Sequence, residues 1–516
     1  MKVQTKLVSR LCGPAVLLGC SVLFFAGRAG AQLGAPASSQ GTQAAQLPLS
    51  GKTAQSGSVN ATQTTVPGAT TSVNTLNPAI QVQGPFAGSA NSTLQMSFSG
   101  KLALREAIQR GLEYNLGTVG LAQAVRQAQG ASRVSRSALL PNLNGTVSET
   151  YETENLQALG IKFPGIPAVV GPLNYLDARA KLTQTIADLA ALYNYRATAE
   201  VAMANQMSAK DARDLVVLAV AGTYLQVIAA KARAQSSQAQ LDTANALYQQ
   251  ALQQRGVGLV AQVDVNRSQV QALTEQQRLV SLRNDLAKQK INLARLTGLP
   301  PTDQYDISDD LPFSAAPSLS LDDALRQAST QRSDLRAAEA QLRAANDTRR
   351  AARSERLPSL SVSADFGVIG VNPPQARETY TVVGTVRVPI WQGGKAKGDI
   401  DQADAAWTQR RAELEDLKSE VEGEVRSYYL DLQATANQVE VAQRNLQVSQ
   451  ETLTLTRQRF EAGVADSVEV VQTEQSVASA ELDYIDGVFA HNVAKLSLAR
   501  AVGAAADHLS DFLKLP

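Results

Sequence analysis

The sequence predicts a mainly α-helical protein with a few membrane-type β-strands, an architecture of long antiparallel helical hairpins written twice. Three observations carry this. One string of motifs occurs in two copies after residue 101. No proline occurs between Pro172 and Pro300, or between Pro389 and Pro516, which favours uninterrupted helix over very long stretches. Ahead of each such stretch, apolar and polar residues alternate over about ten positions, the period of a strand.

Residues 1–31 read as a secretory signal. Lys2, Lys6 and Arg10 form a basic start, Leu11 to Ala26 an apolar stretch, and Ala29-Gly30-Ala31 a small-x-small cleavage site. Both cysteines of the chain, Cys12 and Cys20, would leave with it. A rival reading stays open: Leu17-Leu18-Gly19-Cys20 resembles a lipobox, although apolar residues continue at Val22-Leu23-Phe24-Phe25. No second long apolar run is read, so no membrane-spanning helix is expected. Residues 32–98 hold Ala, Gln, Ser, Thr, Gly and Pro with one charge, Lys52, and are expected to form a disordered tail.

The first repeat is placed at 99–300, a linker at 301–318, the second repeat at 319–505 and a short tail at 506–516. Leu102 to Ala107 recurs as Leu319 to Ala324, and Leu140-Pro141-Asn142-Leu143 as Leu357-Pro358-Ser359-Leu360, 217 residues on. Further along the offset is 205: Tyr224-Leu225 matches Tyr429-Leu430, Gly258 matches Gly463, and Gly298 matches Gly503. The change of offset implies a longer first-copy loop near Gly160 to Pro172. Each copy reads as short helix, helix, strand, loop, strand, very long helix, sharp turn, long helix. The very long helices are expected at 189–254 and 395–460, each about 100 Å at ~1.5 Å per residue. Such lengths need a coiled coil or a tube. Leu279, Leu282, Leu286, Leu293 and Leu296, and Leu446, Leu453 and Phe460, follow heptad-like steps. Shorter helices at 118–139 and 262–297 could stack end to end along the first long one.

The strands come in four. Leu360, Val362, Ala364, Phe366 and Val368 oppose Ser361, Ser363 and Asp365. Tyr380, Val382, Gly384, Val386 and Val388 oppose Thr381, Thr385 and Arg387. In the first copy Leu176, Ala178, Ala180, Leu182 and Ile186 oppose Asp177, Arg179 and Lys181, and Leu143, Val147 and Tyr151 line one face of the fourth strand, which Glu149 interrupts. A soluble sandwich would alternate too. In lipid, however, four strands leave open edges, so copies must combine to close a barrel. Two copies give eight strands and a filled interior, three give twelve and a lumen. If there is a pore, geometry favours a trimer: a twelve-stranded β-barrel on an α-helical tunnel.

The duplicated layout resembles the TolC family of outer-membrane efflux channels. Val257-Gly258-Leu259-Val260-Ala261 with Asp264-Val265 resembles the family's first helix-tip motif, and Arg459-Phe460-Glu461-Ala462-Gly463 with Val468-Glu469-Val470 the second. Val388-Pro389-Ile390-Trp391-Gln392-Gly393-Gly394 resembles its strand-to-helix transition. The first-copy transition, Thr185 to Ala190, lacks the Pro and the Gly pair. Arg255 is one place off the spacing of Arg459, and Val263 stands where the family often has a hydroxyl residue. The resemblance implies a homotrimeric exit duct in the outer membrane, with its helical part in the periplasm. Its partners would be a periplasmic adaptor (membrane fusion) protein, an inner-membrane RND or ABC transporter, and outer-membrane lipid. It also implies that Asp466 and Glu469 form the pore constriction, and that Val257, Gly258, Leu259, Asp264, Ala462, Gly463 and Val464 form the adaptor-docking tips. Most of these have a plainer alternative, and Asp264 reads as a solvated tip charge. Asp466-x-x-Glu469 is also a capping box, the glycines permit turns, and Val257 and Leu259 could staple their own hairpin.

Composition narrows the other classes. With 48 basic and 47 acidic residues, net +1, the chain lacks the bulk charge that nucleic-acid binding uses. Two histidines, two cysteines and no catalytic constellation argue against an enzyme, a cofactor or a metal site. His491 and His508 are read as packing or surface residues, Trp391 as an interface anchor and Trp407 as packing. A periplasmic coiled-coil adaptor that never enters a membrane is the alternative, disfavoured by the doubled alternating strands.

Overall fold

The computed structural model describes residues 57–67, 74–90, 100–158, 160, 164–165, 167–258, 260–301, 305–309, 313–315, 319–462, 464 and 467–513. The expected signal segment 1–31, including Cys20, lies outside them.

Between two short parallel partners, β3 (Lys101–Leu102) and β6 (Asp306–Ile307), runs the first repeat: α1 (Leu104–Tyr114), α2 (Leu116–Ser137), β4 (Asn142–Asn155), β5 (Val169–Ala187), α3 (Leu189–Gly256) and α4 (Gln262–Thr297). The second repeat runs α5 (Leu321–Gln331), α6 (Ser333–Ser354), β7 (Ser359–Gly370), β8 (Arg377–Arg387), α7 (Lys395–Glu461) and α8 (Ser467–Ala501), followed by a single turn, α9 (Leu509–Phe512). Helices α1 and α5 have 11 residues each, α2 and α6 have 22, and α3 and α7 have 68 and 67. The duplicated hairpins and four strands are as the sequence predicts. The extra length of the first copy lies in its strands, of 14 and 19 residues against 12 and 11, and in the connection between them.

The chain divides into two compact units. The smaller contains 143–182 and 364–382, the main parts of a four-stranded sheet ordered β4-β5-β7-β8. Gly367 has no Cβ because one would meet the Ala178 carbonyl oxygen at 2.4 Å. At this close approach Arg179 donates to Asp365 across the strands at 2.8 Å and to Asp177 on its own strand. The apolar positions Val147, Tyr151, Phe366, Tyr380 and Val382 stay exposed on the single chain.

In the larger unit α3 packs against α1, α2, α4, α6 and α8, and α7 against α5, α6 and α8. On α7 the buried residues Leu414, Val421, Val425, Leu432, Thr435, Val439 and Ala442 keep steps of seven, four and three, a coiled-coil seam. The centre of α3, from Val216 to Ala230, is buried almost all round. This corrects the expectation that no second long apolar run exists: among the described residues α3 is the one helix apolar and long enough to cross a membrane, but most of its apolar stretch is buried against protein. Tyr224 anchors the entrance of the fold there, donating to the carbonyl of Leu102 or to Asp309 at 2.8 and 2.7 Å.

A second correction concerns the expected tail, 32–98. Within it β1 (Ser58–Pro67) and β2 (Asn74–Gln83) form an antiparallel hairpin, followed by a single 3-10 turn at Gly84–Ala87. Val59 and Ala61 alternate with exposed Asn60 and Thr62, and bury on the helices. Gln438 receives a hydrogen bond from the Leu76 backbone, and Gln63 donates to the Ala490 carbonyl. Pairing satisfies the backbone, and a few small apolar residues suffice because a ready-made helical surface receives them.

Candidate functional site: the hairpin tips and the polar layers behind them

Both tips are tight turns between long helices. Val257 ends α3 and Gly258 takes φ 80°, a left-handed conformation suited to glycine, with its N–H donating to the Arg255 carbonyl at 2.9 Å. Ala261 then caps α4 and Asp264 lies in its first turn, 3.5 Å from Arg267. At the second tip Ala462 closes α7 and the Val464 N–H donates to the Arg459 carbonyl at 2.9 Å. Val257 and Val464 are 73% and 69% exposed, so neither staples its own hairpin. Leu259, Gly463 and Asp466 lie outside the described residues.

The structure brings the two tips together. Val260, Asp264 and Ser268 of the first line one small cleft with Phe460, Val470 and Val471 of the second. Glu469 stands in the first turn of α8 and is paired with Arg459 across its own hairpin at 2.5 Å. That pairing offsets part of the field Glu469 would project.

Two charged layers behind the tips escaped sequence reading. In the first, Glu275, Arg457, Glu474 and Glu481 line a cleft between the two hairpins. Arg457 holds Glu474 at 2.9 Å, Ser236 donates to Glu481 at 2.7 Å, and Gln475 bridges to Gln271. Burial pushes the Glu474 carboxyl up, Arg457 opposes this, and Glu275 adds to it. In the second layer Arg332, 3% exposed, binds Asp334 and Glu424, while Arg500 lies 2.7 Å from Asp211. Burial outweighs Arg500, and the Asp211 carboxyl is pushed up to about 6. Charged residues on amphipathic helices read as solvated faces, and only the fold shows which ones meet. One signal was available: Arg332 lies 217 residues after Asn115, and both sit buried at the start of the equivalent helices α6 and α2.

His491 is buried against Ser314 and Thr435, and burial, helped by Lys495, lowers its pKa to about 4. It is a packing residue. His508 is exposed beside Asp511. Trp391 is 87% exposed, and Trp407 packs beneath Arg349 and Arg411.

The sequence matches the model of the family described as outer membrane efflux protein over 119–299 and again over 324–504, one match per repeat. The chain belongs to the outer membrane efflux protein family. Family membership makes it an outer-membrane protein of efflux transport, from a family of transport proteins. Among relatives, the toluene efflux pump outer membrane protein TtgF of Pseudomonas putida is 26% identical over 79% of this chain and 84% of its own length. The outer membrane protein TolC of Escherichia coli is 22% identical over 72% and 76%. The same fold is seen in the CmeC outer membrane channel of Campylobacter jejuni, with a TM-score of 0.69 at 16% identity, covering 85% of this chain and 98% of that one. The outer membrane protein VceC of Vibrio cholerae superposes at 0.68, covering 78% and 97%. An outer membrane efflux protein accounts for both halves of the present architecture: strands with a lipid-compatible face and helices too long for a compact domain.

Proposed function

We propose that this protein is the exit duct of a tripartite efflux or type I secretion system, a homotrimer joined through its hairpin tips to a periplasmic adaptor. The adaptor would link it to an inner-membrane RND or ABC transporter, which supplies the energy. The observation that carries this is the four-stranded sheet. Its large apolar residues are exposed on the single chain, and its outer strands β4 and β8 each have one neighbour. Neither an apolar face nor an open edge is stable unless lipid covers one and a second copy pairs with the other.

At the tips, Val257, Gly258, Leu259, Asp264, Ala462, Gly463 and Val464 are proposed as the adaptor contact. The exposure of Val257 and Val464 supports this, since an apolar side chain on a turn favours a partner. Asp466 and Glu469 are proposed as the constriction, where rings of carboxylates would concentrate cations. Outer-membrane fractionation, followed by single-channel recording in a planar bilayer, tests the reading. A membrane-bound, heat-modifiable oligomer with steady conductance is expected. Asp466→Asn with Glu469→Gln should lower the cation-over-anion permeability ratio severalfold. A chain that stays soluble without detergent would sink the duct, and an unchanged ratio would remove the acidic ring alone.

A further inference from the structure

We infer that the four strand-to-helix junctions form a cationic belt that binds the phosphodiester headgroups of anionic phospholipids in the periplasm-facing leaflet. The inference rests on the outer-membrane reading and adds a lipid preference to it. The junctions α2/β4, β5/α3, α6/β7 and β8/α7 all belong to the larger unit. They lie side by side. Gln184, near the end of β5, donates to the Leu139 carbonyl ahead of β4 at 3.2 Å. Lys395, at the start of α7, reaches Glu355 at the end of α6 at 2.9 Å.

Each junction exposes a large apolar residue: Leu140, Ile186, Leu357, and the pair Ile390 and Trp391, which are 94% and 87% exposed. Isoleucine and tryptophan that open on a loop between strand and helix are ill placed in water and well placed at a membrane surface. The same junctions carry Arg133 and Arg136 in the last turns of α2, Arg356 just after α6 and Lys397 in the first turn of α7. All four are exposed and form no ion pair among the described residues.

All but one of the carboxylates beside these cations are engaged otherwise. Asp188 accepts the Ala191 N–H at 3.0 Å, Glu355 and Asp399 both hold Lys395, and Asp404 holds Arg349 and Arg353. Asp401, four residues beyond Lys397, forms no ion pair among the described residues. The belt therefore presents an excess of positive charge beside side chains suited to the acyl boundary. A zwitterionic headgroup satisfies the apolar part of this surface, and an anionic one satisfies both parts.

The test uses the full-length oligomer, delipidated in detergent, given equal phosphatidylglycerol and phosphatidylethanolamine, and weighed by native mass spectrometry. Wild type should retain phosphatidylglycerol preferentially. Each cation near an anionic surface contributes about fivefold in affinity. The combined Arg133→Gln, Arg136→Gln, Arg356→Gln and Lys397→Gln variant should therefore lose at least about tenfold of that retention while keeping its oligomeric mass. Trp391→Ala should weaken both lipids alike and leave the preference intact. Equal retention of the two lipids by wild type, or unchanged retention by the combined variant, would overturn the belt. So would a combined variant that falls apart into single chains with its lipid preference unaltered, since the cations would then be contacts between copies. A wild-type chain that fractionates as soluble protein would instead strike the outer-membrane reading.

Discussion

Gly503 sits just past the end of α8 with φ 77°, and the following N–H, of Ala504, donates back to the Ala499 carbonyl at 2.9 Å. Gly298 ends α4 in the same way, with φ 73° and Leu299 donating to Ala294 at 2.9 Å. Left-handed backbone costs a residue with a Cβ about 1 kcal/mol. At Gly503 a Cβ would also meet the Arg332 nitrogen at 3.1 Å. Gly503→Ala should thus destabilise the protein by about 1–3 kcal/mol, measured by denaturant unfolding. Nearby, Asp211 gives stability a pH dependence. Its folded pKa of about 6 lies above its ordinary 3.8, because burial disfavours the charged form. The folded state therefore binds the proton more tightly, and this contribution is full below pH 4 and lost as pH rises through 6. Asp211→Asn should flatten the stability profile between those values, by up to about 3 kcal/mol. An unchanged profile would show that Arg500 keeps the carboxylate charged. His491 works in the other direction: its depressed pKa contributes stability above pH 6.5 that is lost as pH falls towards 4.

At the scale of elements, the helices were legible because their signals are long. The absence of proline over whole segments, heptad-like apolar steps and two copies of one motif order all agree, and α3 and α7 end within two residues of expectation. The four strands of the sheet were legible from alternation. The hairpin β1–β2 was not. Its alternation runs through Thr, Asn, Gln and Ala, and its stability lies in a surface made by residues far along the chain, with Ile80 lying over Gly222. The charged layers were hidden for the same reason: Arg332 and Asp334 start one helix, but Glu424 lies 92 residues further on, and nothing in the spacing pairs it with them. The hairpin offers a direct test of tertiary origin. Val59 is 5% exposed, so Val59→Asp would bury an unpaired charge and release the hairpin. Limited proteolysis within 58–83 should accelerate at least about tenfold, while the long helices keep their protection. Equal loss of protection in the helices would make the hairpin a structural part of the bundle.

For the whole molecule, the decisive quantity is the number of copies, and the sheet's order makes it measurable. Strands β4 and β8 are the outer strands of the four, so in a closed ring the β4 of each copy pairs with the β8 of the next. Such a contact is heterologous and closes only at one copy number. Two copies would leave an interior filled by side chains, which conducts nothing, and three would leave a lumen. Both cysteines of the chain lie at positions 12 and 20, so replacing them with serine leaves a clean background for Val147→Cys on β4 with Val382→Cys on β8. Both positions are exposed on the single chain, at 76% and 66%. A short thiol-specific cross-linker should give bands of one, two and three chains and none higher, with the three-chain band growing at the expense of the others. Either single variant should give no ladder, because each pairing needs one thiol from each edge. A ladder that stops at two would mean eight strands and no conduit, and one that climbs without limit would mean an open filament. Closure at three would give twelve strands and a lumen that the four strands of one copy cannot enclose alone.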